Sequence, residues 1–269
     1  MTLTSQQRTF FEVFGYLALP GCVADDLPWI MEGFEQIWGQ RAEKHNGTRR
    51  TIAGTDSSER LCALLDHPKI VGVASSLLGD DFNYLGGDAN YYVGDTGWHS
   101  DGWHDEGLFI KMAFYLDPVT RDTGCLRVIP GSHWVAGSWP AAVRPVNRPE
   151  QNFGIAGRDV PGMALESQPG DLVVFNHNLQ HASFGGGNRR RMFTLNLCRR
   201  ARTPAELREL RTFINSAARF WVLQCHSDVM RRTASPERMR HLEQVMQNED
   251  ELPELVRQAK QVMAEPARG

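Results

Sequence analysis

The chain has no excess of charge of either sign: 29 Lys and Arg stand against 32 Asp and Glu, for a formal net charge of -3. A basic field is what draws a protein to nucleic acid or to an anionic bilayer, so neither is expected as a partner and a small molecule is. No apolar run is long enough to span a membrane. The opening "MTLTSQQRTFFEVFGYLALPG" lacks the basic-then-apolar order of a secretion leader, which makes the cytoplasm the expected compartment. Cysteine is sparse and unpatterned. Cys22, Cys62, Cys125, Cys198 and Cys225 are odd in number, widely spread and without a C-x-x-C pair, which excludes a disulfide framework and a thiolate zinc site and leaves buried thiols. Internal repeats and low-complexity tracts are also absent.

What is present falls into three zones, read as one domain over residues 1–269. Up to about residue 80, "SQQRTFFEVF", "DDLPWIMEGFEQIWGQRAEKH" and "ERLCALLDHPKIVGVASSLLG" carry apolar residues at helical spacing around a short extended "YLALPG". Residues 81–202 change to short β-rich runs, among them "NYYVG", "LFIKMAFYLD", "DLVVFNH" and "MFTLNLC", separated by Gly and Asp turns. Such a series reads as an antiparallel barrel or sandwich. From 203 to 269 helices return. Thr203 and Pro204 form an N-cap and first-turn pair, and Leu207, Leu210, Ile214, Ala217 and Trp221 step by threes and fours. Ser235-Pro236 and "LPELVRQAKQVM" start two more. These apolar stripes are expected to cover the outer face of the sheet, or else to build a homo-oligomer contact or cap the pocket mouth of a neighbour.

The stretch "WHSDGWHDEG", residues 98–107, concentrates imidazoles and carboxylates. In an extended segment side chains alternate, so His99 and Asp101 project to one side while Ser100 points away. One imidazole and one carboxylate are two thirds of a 2-His-1-carboxylate facial triad, the donor set of non-haem Fe(II). A distant strand has to supply the third ligand. "PGDLVVFNHNLQHAS" offers His177 and then His181.

"WHSD", "DTGCLRVIPGSH", "PGDLVVFNHNLQHAS" and "NRRRMFTLNL" occur in this order, and together they resemble the phytanoyl-CoA dioxygenase family of Fe(II)/2-oxoglutarate oxygenases over residues 8–200. The resemblance implies a mainly β fold with flanking helices around a double-stranded β-helix, a jelly-roll of the cupin type. It implies His99, Asp101 and His181 as iron ligands, and an arginine of the run 189–191 on the distal carboxylate of 2-oxoglutarate. Parity selects within that run. Arg190, Met192, Thr194 and Asn196 share a polar face suited to the lumen, so Arg190 is preferred; Arg191, with Phe193 and Leu195, is the alternative if a bulge shifts the register. Ser183 matches a family position that adds a hydroxyl to the same carboxylate. Iron, 2-oxoglutarate and O2 would then oxidise a C–H bond of a small substrate, giving succinate and CO2. A carboxylate at Asp101, where related halogenases carry a small residue, points to hydroxylation.

Around this centre Trp98, Trp103, His104 and Arg49 are the candidate substrate contacts. His177 is expected either to be structural, supporting a ligand, or to have a pocket role, His133 to order its turn, and residues 134–163, rich in Gly and Pro, to form the lid. No dense basic patch suits a CoA phosphate, so the substrate is expected to be a small, partly polar metabolite. Two other readings stay open: a cupin-type isomerase or hydrolase working without 2-oxoglutarate, and a silent barrel acting as a binding module.

Overall fold

The computed structural model describes residues 1–39, 50–53 (backbone only), 55–187 and 190–267. Arg49 and Arg189 lie outside the described residues, as does the side chain of Arg50. Among the described residues the strands are β1 (Tyr16–Leu19), β2 (Arg50–Ala53), β3 (Asn83–Tyr84), β4 (Asp88–Tyr92), β5 (Thr96–His99), β6 (Phe109–Tyr115), β7 (Leu126–Val128), β8 (Met163–Leu165), β9 (Leu172–Asn176), β10 (His181–Ser183) and β11 (Arg190–Cys198). The helices are α1 (Ser5–Phe14), α2 (Leu27–Gly39), α3 (Glu59–Cys62), α4 (Pro68–Leu78), α5 (Trp139–Val143), α6 (Pro149–Phe153), α7 (Pro204–Ser216), α8 (Asp228–Thr233), α9 (Pro236–Met239), α10 (Glu243–Met246) and α11 (Leu252–Val262). Helices hold more residues than strands, yet the strands form the centre. The major sheet runs β1-β9-β6-β11-β4-β2 with β3 also on β11, and the minor sheet runs β5-β10-β7-β8. All pairings are antiparallel.

Alternation along the strands sorts two cores. From β11, Phe193, Leu195 and Leu197 face outward and pack with Ile30 and Phe34 of α2 and Ile70 and Val73 of α4. Phe114 of β6 stacks on Phe193 at 4.5 Å between ring centroids. From the inner face, Met192, Ala113, Tyr115 and Phe175 meet Leu126, Val128 and Leu165 of the minor sheet. The N-terminal zone is thus more than helical cover, since β1 pairs with β9 and β2 with β4. α1 starts at a Thr4–Gln7 capping box, and Gly15, at φ 80, turns the chain straight into β1. Among the described residues no single helix is long and apolar enough to cross a membrane.

Beyond Arg200 the chain starts α7 at the expected Thr203 N-cap, where Thr203 and Glu206 form a capping box. The helix does not continue to Trp221. It ends at Ser216, a 3-10 turn covers Ala217–Phe220, and Trp221 takes a left-handed φ of 58°, a conformation that costs a bulky residue energy. The apolar residues of this zone divide: Met230 of α8 and Leu242 join the outer core of the major sheet, as expected, and the stripe of α7 packs elsewhere. Leu210 and Ile214 of α7 and Val245 of α10 pack on Leu85, Phe109 and Cys198, residues of lumen parity at one end of the barrel. α7 and α10 therefore cap the mouth of their own barrel, while Met230 and Leu242 cover its outer face.

Candidate metal and co-substrate site

β5 and β10 run antiparallel with His99 directly opposite His181, and the two rings lie 4.2 Å apart. Asp101 follows two residues after His99. Its backbone N–H donates to the carbonyl of His177 at 2.9 Å, pinning the loop beyond β5 to the end of β9. Ligand atoms of His99, Asp101 and His181 all lie within 4.8 Å of one another. His99 Nδ1 sits 2.8 Å from the carbonyl of Gly97, and His181 Nδ1 sits 2.9 Å from that of Leu179. A carbonyl can only accept, so Nδ1 is the donor in both rings and Nε2 is the nitrogen left for a metal. Burial pushes His181 down to about 3, so its imidazole is neutral. Burial opposes ionisation of Asp101, but Lys111 and the neighbouring imidazoles outweigh it and hold the carboxyl well below its usual range. Two imidazoles and a carboxylate fit a divalent iron.

These side chains line a cavity of about 660 Å³ between the sheets. Arg190, Met192, Thr194 and Asn196 all line it. Arg190 is buried, donates to Ser183 Oγ at 2.9 Å and to the carbonyl of Gly124, and lies over the Tyr92 ring at 5.1 Å. Its Nε has no partner among the described residues. A buried guanidinium with no counter-charge among the described residues, opening on a cavity that also holds three metal-type donors, fits a dianionic co-substrate. Arg191 is placed on the other face, where Asp117 and Glu35 hold it at 2.7 and 2.9 Å. It does not reach the lumen.

Other sequence candidates are not brought to the cavity. Trp98 is buried on the far side of the minor sheet, donating to the carbonyl of Gly157 at 2.8 Å and packing with Val146, Val160 and Phe184. Trp103 lies under the Arg144 guanidinium at 4.5 Å. His104 stacks on Phe109 at 3.7 Å and pairs with Glu209 at 3.2 Å. His133 meets the carbonyl of Glu12 at 3.1 Å and orders its turn. The 134–163 segment covers the minor sheet and contributes nothing to the cavity lining. That part is played by 213–227, which supplies Phe213, Phe220, Val222 and Gln224 among others.

Sequence reasoning missed Lys111. Its ammonium lies 2.9 Å from Asp101 Oδ2, and Asp101 and Asp88 together raise its pKa against the opposing effect of burial. The signal was available: "LFIKMAFYL" holds one charge in an apolar strand, at the parity of Ala113 and Tyr115, and a buried charge requires a partner. Asn90, on the lumen face of β4, was missed for lack of any motif.

A family model described as phytanoyl-CoA dioxygenase matches residues 11–192. Among curated proteins, the L-proline trans-4-hydroxylase of Streptomyces griseoviridis is 29% identical over 136 residues, covering 44% of this chain and 51% of that protein. The chain thus spans about half the length of the curated relative it matches. Among solved structures, the epimerase SnoN from nogalamycin biosynthesis, in complex with Fe3+, alpha ketoglutarate and nogalamycin RO, superposes with a TM-score of 0.57 at 17% identity, over 74% of this chain and 86% of that one. EctD from S. alaskensis with 2-oxoglutarate and 5-hydroxyectoine gives 0.56 at 23% identity, over 73% and 76%. At these identities the two structures speak to the fold, a jelly-roll core with flanking helices.

Proposed function

The chain belongs to the phytanoyl-CoA dioxygenase family, and from that premise we propose that it is a non-haem Fe(II)/2-oxoglutarate-dependent oxygenase that hydroxylates a small molecule. The observation that carries the reading is the single cavity that joins the His99, Asp101 and His181 donors to a buried Arg190. A cupin-type isomerase has no use for that arginine, and a silent barrel has none for either group.

The roles divide along the cavity. His99, Asp101 and His181 would hold the iron through two Nε2 atoms and a carboxylate oxygen, leaving the remaining positions for co-substrate and oxygen. When bound, iron with 2-oxoglutarate and O2 supplies the oxidising power, and the carbon leaves as succinate and CO2. Arg190 and Ser183 grip the distal carboxylate, the arginine through a charge-assisted pair in a site shielded from water. Lys111 fixes the Asp101 carboxylate by its 2.9 Å contact. The C-terminal segment closes the barrel mouth and excludes water from the oxidant. Likeness to a proline hydroxylase favours insertion of a hydroxyl over the epimerisation that SnoN is named for.

Arg190→Ala tests the reading. Losing a buried charge-assisted contact costs about 1.5–3 kcal/mol, so the Michaelis constant for 2-oxoglutarate should rise about 10- to 150-fold. Arg191→Ala breaks a partly exposed pair instead and should leave that constant in place; the reverse outcome reassigns the co-substrate subsite. The visible charge-transfer band of an anaerobic Fe(II)/2-oxoglutarate complex should weaken in parallel.

Gly124→Ala acts on the same arginine from behind. Gly124 sits at φ 96, and an added Cβ would run into the Arg190 guanidinium and the backbone of Gly186. The left-handed backbone alone costs an alanine about 1–2 kcal/mol. The expected result is a raised Michaelis constant for 2-oxoglutarate with iron affinity, measured by calorimetric titration, unchanged.

A further inference from the structure

Substrate space lies beyond the metal donors, and its two walls differ in kind. One wall belongs to the major sheet and carries Asn90, Asn196 and His177; the other comes from 213–227 and carries Phe213 and Phe220. Away from the lip, the charged groups along this lobe, Lys111, Asp56 and Asp88, are already engaged. Lys111 is paired with Asp101 at 2.9 Å, one oxygen of Asp56 accepts from the backbone N–H of Ser227 at 2.8 Å, and Arg219 lies over the Phe220 ring at 4.7 Å, exposed at the lip.

The polar atoms left over are uncharged. Oδ1 of Asn90, Oδ1 of Asn196 and both ring nitrogens of His177 have no partner among the described residues, and the three residues are 1%, 8% and 1% exposed. An unmet buried amide or imidazole costs about 1–3 kcal/mol, which a ligand hydroxyl or amide can recover. Away from Arg219 at the lip, a ligand ion seated between these residues would meet no unengaged counter-charge among the described residues and would have to shed its hydration unaided. Phe213 packs against His177 with 5.6 Å between ring centroids, and Phe220 and Val222 of the same segment give the lobe an apolar surface.

We infer that the substrate lobe takes an uncharged molecule bearing hydroxyl or amide groups on one edge and an apolar face on the other, with Asn90, Asn196 and His177 reading the polar edge. This rests on the oxygenase reading of the same cavity. It makes the sheet wall the determinant of functional group and the C-terminal segment the determinant of shape.

The test uses the full chain with Zn(II) and 2-oxoglutarate bound, and ligand-observed saturation-transfer NMR with three probes matched except in charge: 4-hydroxycyclohexane carrying a carboxamide, a carboxylate or an aminomethyl group. The carboxamide should bind at least about tenfold more tightly than either ion, the modest end of the cost of burying an unpaired charge. Asn196→Leu and His177→Phe should each erase that preference while the 2-oxoglutarate signal persists. Equal or tighter binding of either ion, or no binding of the carboxamide, overturns the inference. Carboxylate binding that vanishes in Arg219→Ala overturns it too and assigns an anion site at the lip. The signal of 2-oxoglutarate, absent in Arg190→Ala, reports on the oxygenase reading separately.

Discussion

His99→Ala and His181→Ala each lose iron-dependent turnover of 2-oxoglutarate while keeping the fold. Each variant removes one of three donors clustered within 4.8 Å, and the loss should exceed the roughly 10–100-fold that follows when only a partner behind a ligand is removed. Stability changes little for a physical reason. Both rings give one hydrogen bond to a carbonyl two residues away, Gly97 and Leu179, and both line a cavity, so truncation enlarges space already there without opening a void in close packing. Calorimetric titration with Co(II), thermal unfolding and succinate release separate the outcomes. Wild-type turnover in either variant at saturating iron means that the triad is misassigned. Asp101→Glu keeps the charge but lengthens the arm, so it loses the 2.9 Å contact with Lys111 and should weaken both metal binding and turnover.

The candidate metal donors were legible because a strand has period two and the motifs carry an order. H-x-D on β5 puts both side chains on one face, and the return strand places His181 opposite His99 by register alone. The same parity separates Arg190 from Arg191, since β11 runs from Arg190 to Cys198 without a register shift against β6 or β4. What parity cannot say is where a loop packs. Gly and Pro in 134–163 mark irregular chain, but Trp98 draws that segment over the minor sheet through its bond to Gly157. The cavity wall was hidden by the opposite problem. Residues 204–221 read as one amphipathic helix, and nothing local announces that Trp221 will take φ 58° and turn the chain towards Ser227. That turn is held by tertiary contacts: Asp56 takes the Ser227 N–H, Glu249 takes the Cys225 N–H at 2.6 Å, and Lys260 sits 5.5 Å from the Trp221 ring.

Ending the chain after Arg202 should yield insoluble protein. The deletion removes Leu210, Ile214, Met230, Leu242 and Val245, all buried, and uncovers Leu85, Phe109 and Cys198 at the barrel mouth. Fully burying a side chain of this kind contributes about 1.5–3 kcal/mol, so five of them amount to roughly 10 kcal/mol, within the whole stability of a typical domain. A milder cut tells cover from wall. Ending after Asp250 removes only α11, whose Leu252 and Val256 pack against Ala218 with Trp221 beside them, so the barrel keeps its cap but the 217–222 turn loses its support. Sedimentation velocity should show this shorter chain folded, with 2-oxoglutarate binding intact and binding of the neutral cyclohexane probe weakened several-fold. A chain ending at Arg202 that is soluble, with parental mass and activity, would remove the covering role altogether. A folded monomer from a dimeric parent would show that these helices serve assembly.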